Sequence, residues 1–124
     1  MTEGLADARG QPTPALEQLY GIWSKGGAGL LLSGNVQIDG AHLERPGNVI
    51  VDSEPTPSMR RALERWAAAG TASGNHFWAQ ISHAGRQCQK NVNPRPKAPS
   101  AVKLGLPGGQ FGEPVPMKIG RAHV

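Results

Sequence analysis

Residues 76–87 read HFWAQISHAGRQ, and the fold turns on how this stretch is read. It opens as an apolar run of strand type and closes in polar groups. Gln80, His83, Arg86 and Gln87 fall within eight residues, with Gly85 among them as a backbone hinge. In α/β proteins, a strand that delivers polar side chains at its C-terminal end is where ligand sites sit. His76–Ser82 is therefore read as a strand ending at one wall of a ligand pocket.

Working outward toward the N-terminus, Thr56-Pro57 is a helix start, and Gly70 is the matching stop. Met59, Leu63, Trp66 and Ala67 are expected on the inner face of that helix. Before it, Gly29-Leu30-Leu31-Leu32-Ser33 is a continuous apolar run. Without alternation it reads as a strand buried on both faces. Ser33-Gly34-Asn35 is expected to break it, with Val36 and Ile38 as an extension and Val49–Val51 as a brief strand or packed loop. An earlier helix begins at Thr13-Pro14, presents Leu16, Leu19, Tyr20 and Trp23 on one face, and ends at Gly26-Gly27. The order helix, strand, helix, strand implies a parallel sheet with a crossover helix. From Ala84 onward the chain is expected to be loop.

The totals fit a loop-rich piece of α/β structure. The chain has 124 residues, 38% of them hydrophobic, and its 17 Gly and 11 Pro exceed a fifth of the total. That leaves little material for a closed core, and a (β/α)8 barrel needs about 250 residues. Basic residues exceed acidic ones, 13 to 9, but they are scattered, so a nucleic-acid surface is not indicated. No run reaches the length of a membrane-spanning helix, and MTEGLADARG is not a signal pattern. The single cysteine, Cys88, sits among polar neighbours and is expected to be exposed; one thiol fits a reducing, cytoplasmic setting. The last seven residues, KIGRAHV, continue no pattern and match one reading frame of a common sequencing adapter. Residues 118–124 are therefore expected to be non-native, and without them the net charge would fall from +4 to +2.

Parallel neighbours place their C-terminal ends side by side, so Ser33-Gly34-Asn35 should lie near Gln80 and His83. Gly34 would admit a close approach to the backbone. Asn35 and Gln80 can each donate and accept, which suits a planar heterocycle with alternating donors and acceptors. Polar residues that merely cap strand ends would give the same spacing. No second His, Cys or carboxylate stands at metal spacing from His83, so no metal site is expected. His42 reads as a loop residue and His76 as a strand start.

Five blocks carry a further signal: M-T-E-G-L-A-D, G-G-A-G-L-L-L-S-G-N-V, L-E-R-P-G-N-V, Q-I-S-H-A-G-R-Q and A-P-S-A-V. In this order they resemble the Old Yellow Enzyme family, the FMN-dependent NADH:flavin oxidoreductases and ene-reductases. The resemblance covers residues 1–117. It implies the N-terminal part of an FMN-binding (β/α)8 TIM barrel, with only the first βα units present, and NAD(P)H as reductant. It implies cofactor binding by Met1, Thr2, Asn35 and Gln80: Thr2 near flavin O4, Asn35 through its backbone, Gln80 on the pyrimidine edge. His83 and Arg86 would support or order the adjacent loop.

The family's substrate-orienting His/His or His/Asn pair, its flavin-side Arg and its phosphate-binding strand ends belong to later sequence, so no catalytic residue is assigned here. The expected function is reduction of activated C=C bonds in small α,β-unsaturated carbonyl compounds, without nucleic-acid or membrane partners; a homo-oligomeric parent is left open. The rival expectation is a small non-catalytic βαβ domain that binds a ligand or partner.

Overall fold

The computed structural model describes residues 2–118. Met1 and residues 119–124 lie outside that range, and with them the expected cofactor contact of Met1 and nearly all of the expected non-native tail. The elements are α1 (Pro14–Lys25), β1 (Leu30–Gln37), β2 (Val49–Ile50), α2 (Pro57–Gly70), β3 (His76–Ser82), a 3-10 turn (Gly85–Gln87), β4 (Lys97–Ala98) and β5 (Val115–Pro116). The first three strands form one all-parallel sheet in the order β2-β1-β3, and β4 and β5 form a separate parallel pair.

Both helices begin at a Thr-Pro pair, but the two threonines act differently. Thr56 Oγ1 accepts the Met59 N–H at 3.2 Å and caps α2. Thr13 makes no side-chain cap; its hydroxyl donates to the Leu5 carbonyl instead, at 2.6 Å, and ties α1 to the N-terminal loop. Leu16 and Tyr20 are buried, with Leu19 and Trp23 packed beside them, as the 3-4 spacing requires. On α2 the buried positions are Met59, Ala62, Trp66 and Gly70. Ala67 is exposed, contrary to expectation, because the buried stripe runs through Ala62 and Trp66.

The helices meet the sheet through aromatic rings. Tyr20, Trp66 and Phe77 form a triangle with centroids 4.8 to 5.3 Å apart. Gly70 lies against the Phe77 ring and has no room for a Cβ, so the end of α2 can seat directly on β3. Buried Ser24 locks the neighbouring turn by accepting the Ser73 N–H at 2.9 Å and donating to Asn75.

Three sequence expectations are corrected. β1 does not stop at Ser33-Gly34-Asn35; it runs through them as a bulge, with the register shifting between Leu32 and Asn35. β1 is not buried on both faces either. Leu30 and Leu32, with Trp78 opposite, are exposed on the side away from the helices. The chain beyond Ala84 is not loop throughout: it forms the 3-10 turn, β4 and β5, and Gln89 bridges to Phe111. Strands of two residues are too short to show a period in the sequence.

Thr56→Ala should lower stability by about 0.5–2 kcal/mol through loss of a cap, and Leu16→Ala by about 2–5 kcal/mol through loss of core packing. Urea titration followed by circular dichroism checks both; equal losses would mean the α1–α2 core is not where stability resides.

Candidate functional site

Side chains on a strand alternate between faces. On β3, Phe77 enters the helix-side core, so Trp78 and Gln80 face the other way. On β1, Leu31 packs with the core and Leu32 pairs with Trp78 on the open side. Strict alternation would then bring Gly34 beside Gln80. The bulge inserts one residue and changes the parity, so that Asn35 pairs with Gln80 on the open face and Val36 returns to the core.

The bulge is held from both sides. Ser33 is fully buried, and its hydroxyl accepts the Gln80 N–H at 2.9 Å, taking the place of a ladder carbonyl. The Gly34 N–H turns toward α1, where it meets Tyr20 Oη at 2.9 Å and Glu3 Oε1 at 3.0 Å. Tyr20 in turn donates to Glu3. Burial, then the hydrogen bond and charge of Glu3, push the Tyr20 phenol well above its ordinary value. The close approach that Gly34 permits is made by Glu3, whose carboxylate fills the space a Cβ would need.

On the open side, Gln80 Nε2 donates to Asn35 Oδ1 at 2.7 Å. Asn35 Nδ2 donates to Thr2 Oγ1 at 3.1 Å and to Glu44, and Thr2 donates to Glu44 as well. Burial acts to raise the Glu44 carboxyl, but the hydrogen bonds from Thr2 and Asn35 and the charge of Arg45 outweigh it and hold the group below its ordinary value. Thr2, Asn35 and Gln80 therefore come together, as expected from the sequence, around a residue to which the sequence reading gave no role. Glu44 is the one carboxylate in the L-E-R-P-G-N-V block, and that was the available signal.

His83 and Arg86 follow the site. Arg86 is exposed on the 3-10 turn. His83 stacks on His42 with centroids 4.7 Å apart, and its Nδ1 accepts the Gly85 N–H at 3.1 Å. His42 is in a loop, as read, but it is buried: its Nδ1 bonds Asp39 at 2.9 Å and its Nε2 accepts the Lys97 N–H at 2.8 Å. It ties the β1–β2 loop to β4. Asp39, His42 and His83 bring metal-capable atoms within 4.8 Å of one another, which the sequence spacing did not reveal. Because His42 Nε2 accepts a backbone N–H, its proton sits on Nδ1, where a metal would have to bind. The cluster is built as a hydrogen-bonded clamp. Cys88 is fully buried, correcting the expected exposure, and burial pushes its thiol up. A cleft between Arg9 and Gln11 of the N-terminal loop and residues 50–56, with Ser58 and Met59, lies apart from these groups.

Fold and site together define a parallel βα assembly whose polar side chains converge near the C-terminal ends of adjacent strands. No protein-family model matches the chain. Among curated proteins, it is 38% identical to the NADH-dependent flavin oxidoreductase nadA of Aspergillus parasiticus, over 83% of this chain and 24% of that protein. It is 32% identical to the NADH-dependent flavin oxidoreductase iliE of Hypocrea jecorina, over 86% of this chain and 32% of that protein. Its fold matches the Old Yellow Enzyme homologue from Zymomonas mobilis, with a TM-score of 0.78 and 23% identity, over 98% of this chain and 35% of that one. Morphinone reductase matches with a TM-score of 0.74 and 21% identity, over 97% and 34%. The chain thus spans about a third or less of the length of these relatives. Its sequence is similar to that of NADH-dependent flavin oxidoreductases, and its fold is a partial (β/α)8 barrel of the kind seen in Old Yellow Enzyme homologues.

Two measurements check the local electrostatics. Burial first, and the neighbouring His42 second, lower the proton affinity of His83, while Asp39 opposes them. A depressed histidine leaves stability intact above its ordinary value of 6.5 and removes it as pH falls below, where the unfolded chain binds the proton more readily. Stability should therefore drop between pH 7 and 5, and His83→Gln should flatten that slope; the Asp39 carboxyl, also depressed, acts only at lower pH. Cys88 should react with a disulfide reagent in urea but not in the folded protein, and prompt labelling without denaturant would contradict its burial.

Proposed function

We propose that residues 1–117 form part of the FMN-binding barrel of an NAD(P)H-dependent oxidoreductase that reduces activated C=C bonds of α,β-unsaturated carbonyl compounds. The observation that carries this reading is the side-chain pairing of Asn35 with Gln80 at the ends of adjacent parallel strands, with Thr2 alongside. The likeness to NADH-dependent flavin oxidoreductases over most of this chain supports it. In this reading residues 118–124 are not native sequence.

The donor set suits the pyrimidine side of a flavin. Gln80 keeps Oε1 and one amide proton uncommitted among the described residues, and Thr2 Oγ1 keeps a lone pair. When bound, FMN supplies hydride exchange between a reduced nicotinamide and the β-carbon of the alkene. The residues of this chain bind and orient. Gln80 holds the ring edge, Asn35 fixes the Gln80 amide, and Thr2 lies where it can adjust the charge that the ring gains on reduction. His83 and the exposed Arg86 order the loop that follows β3. The open apolar face of Leu30, Leu32 and Trp78 is the surface that the remaining barrel strands would cover, which disfavours a free-standing ligand-binding domain.

Expressed alone, the chain should bind FMN weakly, because a barrel's phosphate site is assembled from other strand ends. Tight stoichiometric flavin on the purified chain would contradict this. In a full-length parent, Gln80→Ala should weaken FMN binding by about tenfold, the scale of one hydrogen bond, or shift the flavin potential. An unchanged spectrum and potential would remove Gln80 from the site.

A further inference from the structure

Thr2, Asn35, Glu44 and Gln80 are linked in a fixed sense. An ionised carboxylate can only accept hydrogen bonds. Asn35 must therefore turn Nδ2 toward Glu44, which places Oδ1 on its other side. Gln80 must then meet that oxygen with Nε2, at 2.7 Å, and is left with Oε1 unpartnered among the described residues. Thr2 is held in the same way: its proton goes to Glu44, and its oxygen accepts the second Asn35 amide proton at 3.1 Å. Each orientation follows from the one before, and the series starts at the charge on Glu44. Among the described residues, the charged group facing that carboxylate is Arg45, 3.9 Å away.

We propose that Glu44 is a positioning residue that sets the donor–acceptor polarity of this site, so that Gln80 presents a carbonyl oxygen and a planar heterocycle is selected through a ring N–H. The inference rests on the flavin reading and deepens it, since the isoalloxazine ring carries such an N–H at N3. Glu44 itself touches no ligand in this scheme; it acts through Asn35. A neutral residue at position 44 would release Asn35 to adopt either amide orientation, and Gln80 with it.

The test uses the 124-residue chain labelled with 15N, and follows the side-chain amide resonances of Asn35 and Gln80. Glu44→Gln should move both pairs of resonances, although Gln80 does not contact position 44, and Glu44→Asp should restore them toward the parent positions. Lowering the pH of the parent chain through the carboxylate range should move both pairs with one midpoint, which decides the matter should Glu44→Gln fail to fold. Gln80 resonances that ignore Glu44 while those of Asn35 respond would overturn the proposal.

A second readout compares lumiflavin with 3-methyllumiflavin, which lacks the N–H, by fluorescence titration. The parent chain should prefer lumiflavin by about tenfold, the scale of one hydrogen bond, and Glu44→Gln should reduce that preference to about threefold or less. Equal binding of the two flavins by the parent overturns N–H selection. Binding of neither overturns the flavin reading for this chain, and the amide resonances then support or overturn the role of Glu44 on their own.

Discussion

Gly34 carries an amide N–H that turns away from β3, and the rest of the site depends on where that group goes. The bulge at Ser33-Gly34 changes the parity of β1, so that Leu31 and Val36, five positions apart, can both face the helices. An unpaired buried N–H would cost about 1–3 kcal/mol. Tyr20 and Glu3 accept it from the helix side, and the Ser33 hydroxyl satisfies the Gln80 N–H that the bulge would otherwise strand. With those groups in place, Asn35 can stand beside Gln80 without disturbing the core. Any residue larger than glycine at position 34 would have to displace the Glu3 carboxylate.

Two carboxylates thus flank the end of β1 and do different work. Glu3, on the helix side, supports backbone geometry through a buried tyrosine. Glu44, on the open side, orders three neutral side chains. Among the described residues, neither meets a cation more closely than the 3.9 Å between Arg45 and Glu44. Hydroxyl, amide and backbone N–H donors carry the burden, as charge-assisted hydrogen bonds can where a carboxylate is partly removed from water. The Asp39–His42–His83 clamp repeats this logic one layer further out, joining the loops after β1 and β3 to the β4 segment.

Much of the architecture was legible in the sequence because it rests on local signals. Thr-Pro helix starts, glycine stops and the 3-4 spacing of Leu16, Leu19, Tyr20 and Trp23 depend only on neighbouring residues. His76–Ser82 was bounded correctly because an apolar run ended in polar groups. The bulge was misread as a break, since Ser-Gly-Asn is turn chemistry unless a helix residue such as Tyr20 receives its N–H. The role of Glu44 and the burial of His42 and Cys88 are not legible for a related reason. Their partners lie far along the chain, and nothing local distinguishes a buried loop histidine from an exposed one. Strand ends and family resemblance single out Thr2, Asn35 and Gln80, and the structure brings them together.

Asn35 and Gln80 stand 45 residues apart in the chain, and the whole α2 crossover lies between them. Closing a loop of that length costs entropy before the strand contacts compensate. In the folded chain α2 spans that loop and docks on β3 through Trp66 and Gly70. The pairing of Asn35 with Gln80 thus leans on the packing of α2 against β3, so a substitution at Trp66 or Gly70, remote from the polar cluster, reaches it through the register of the strands.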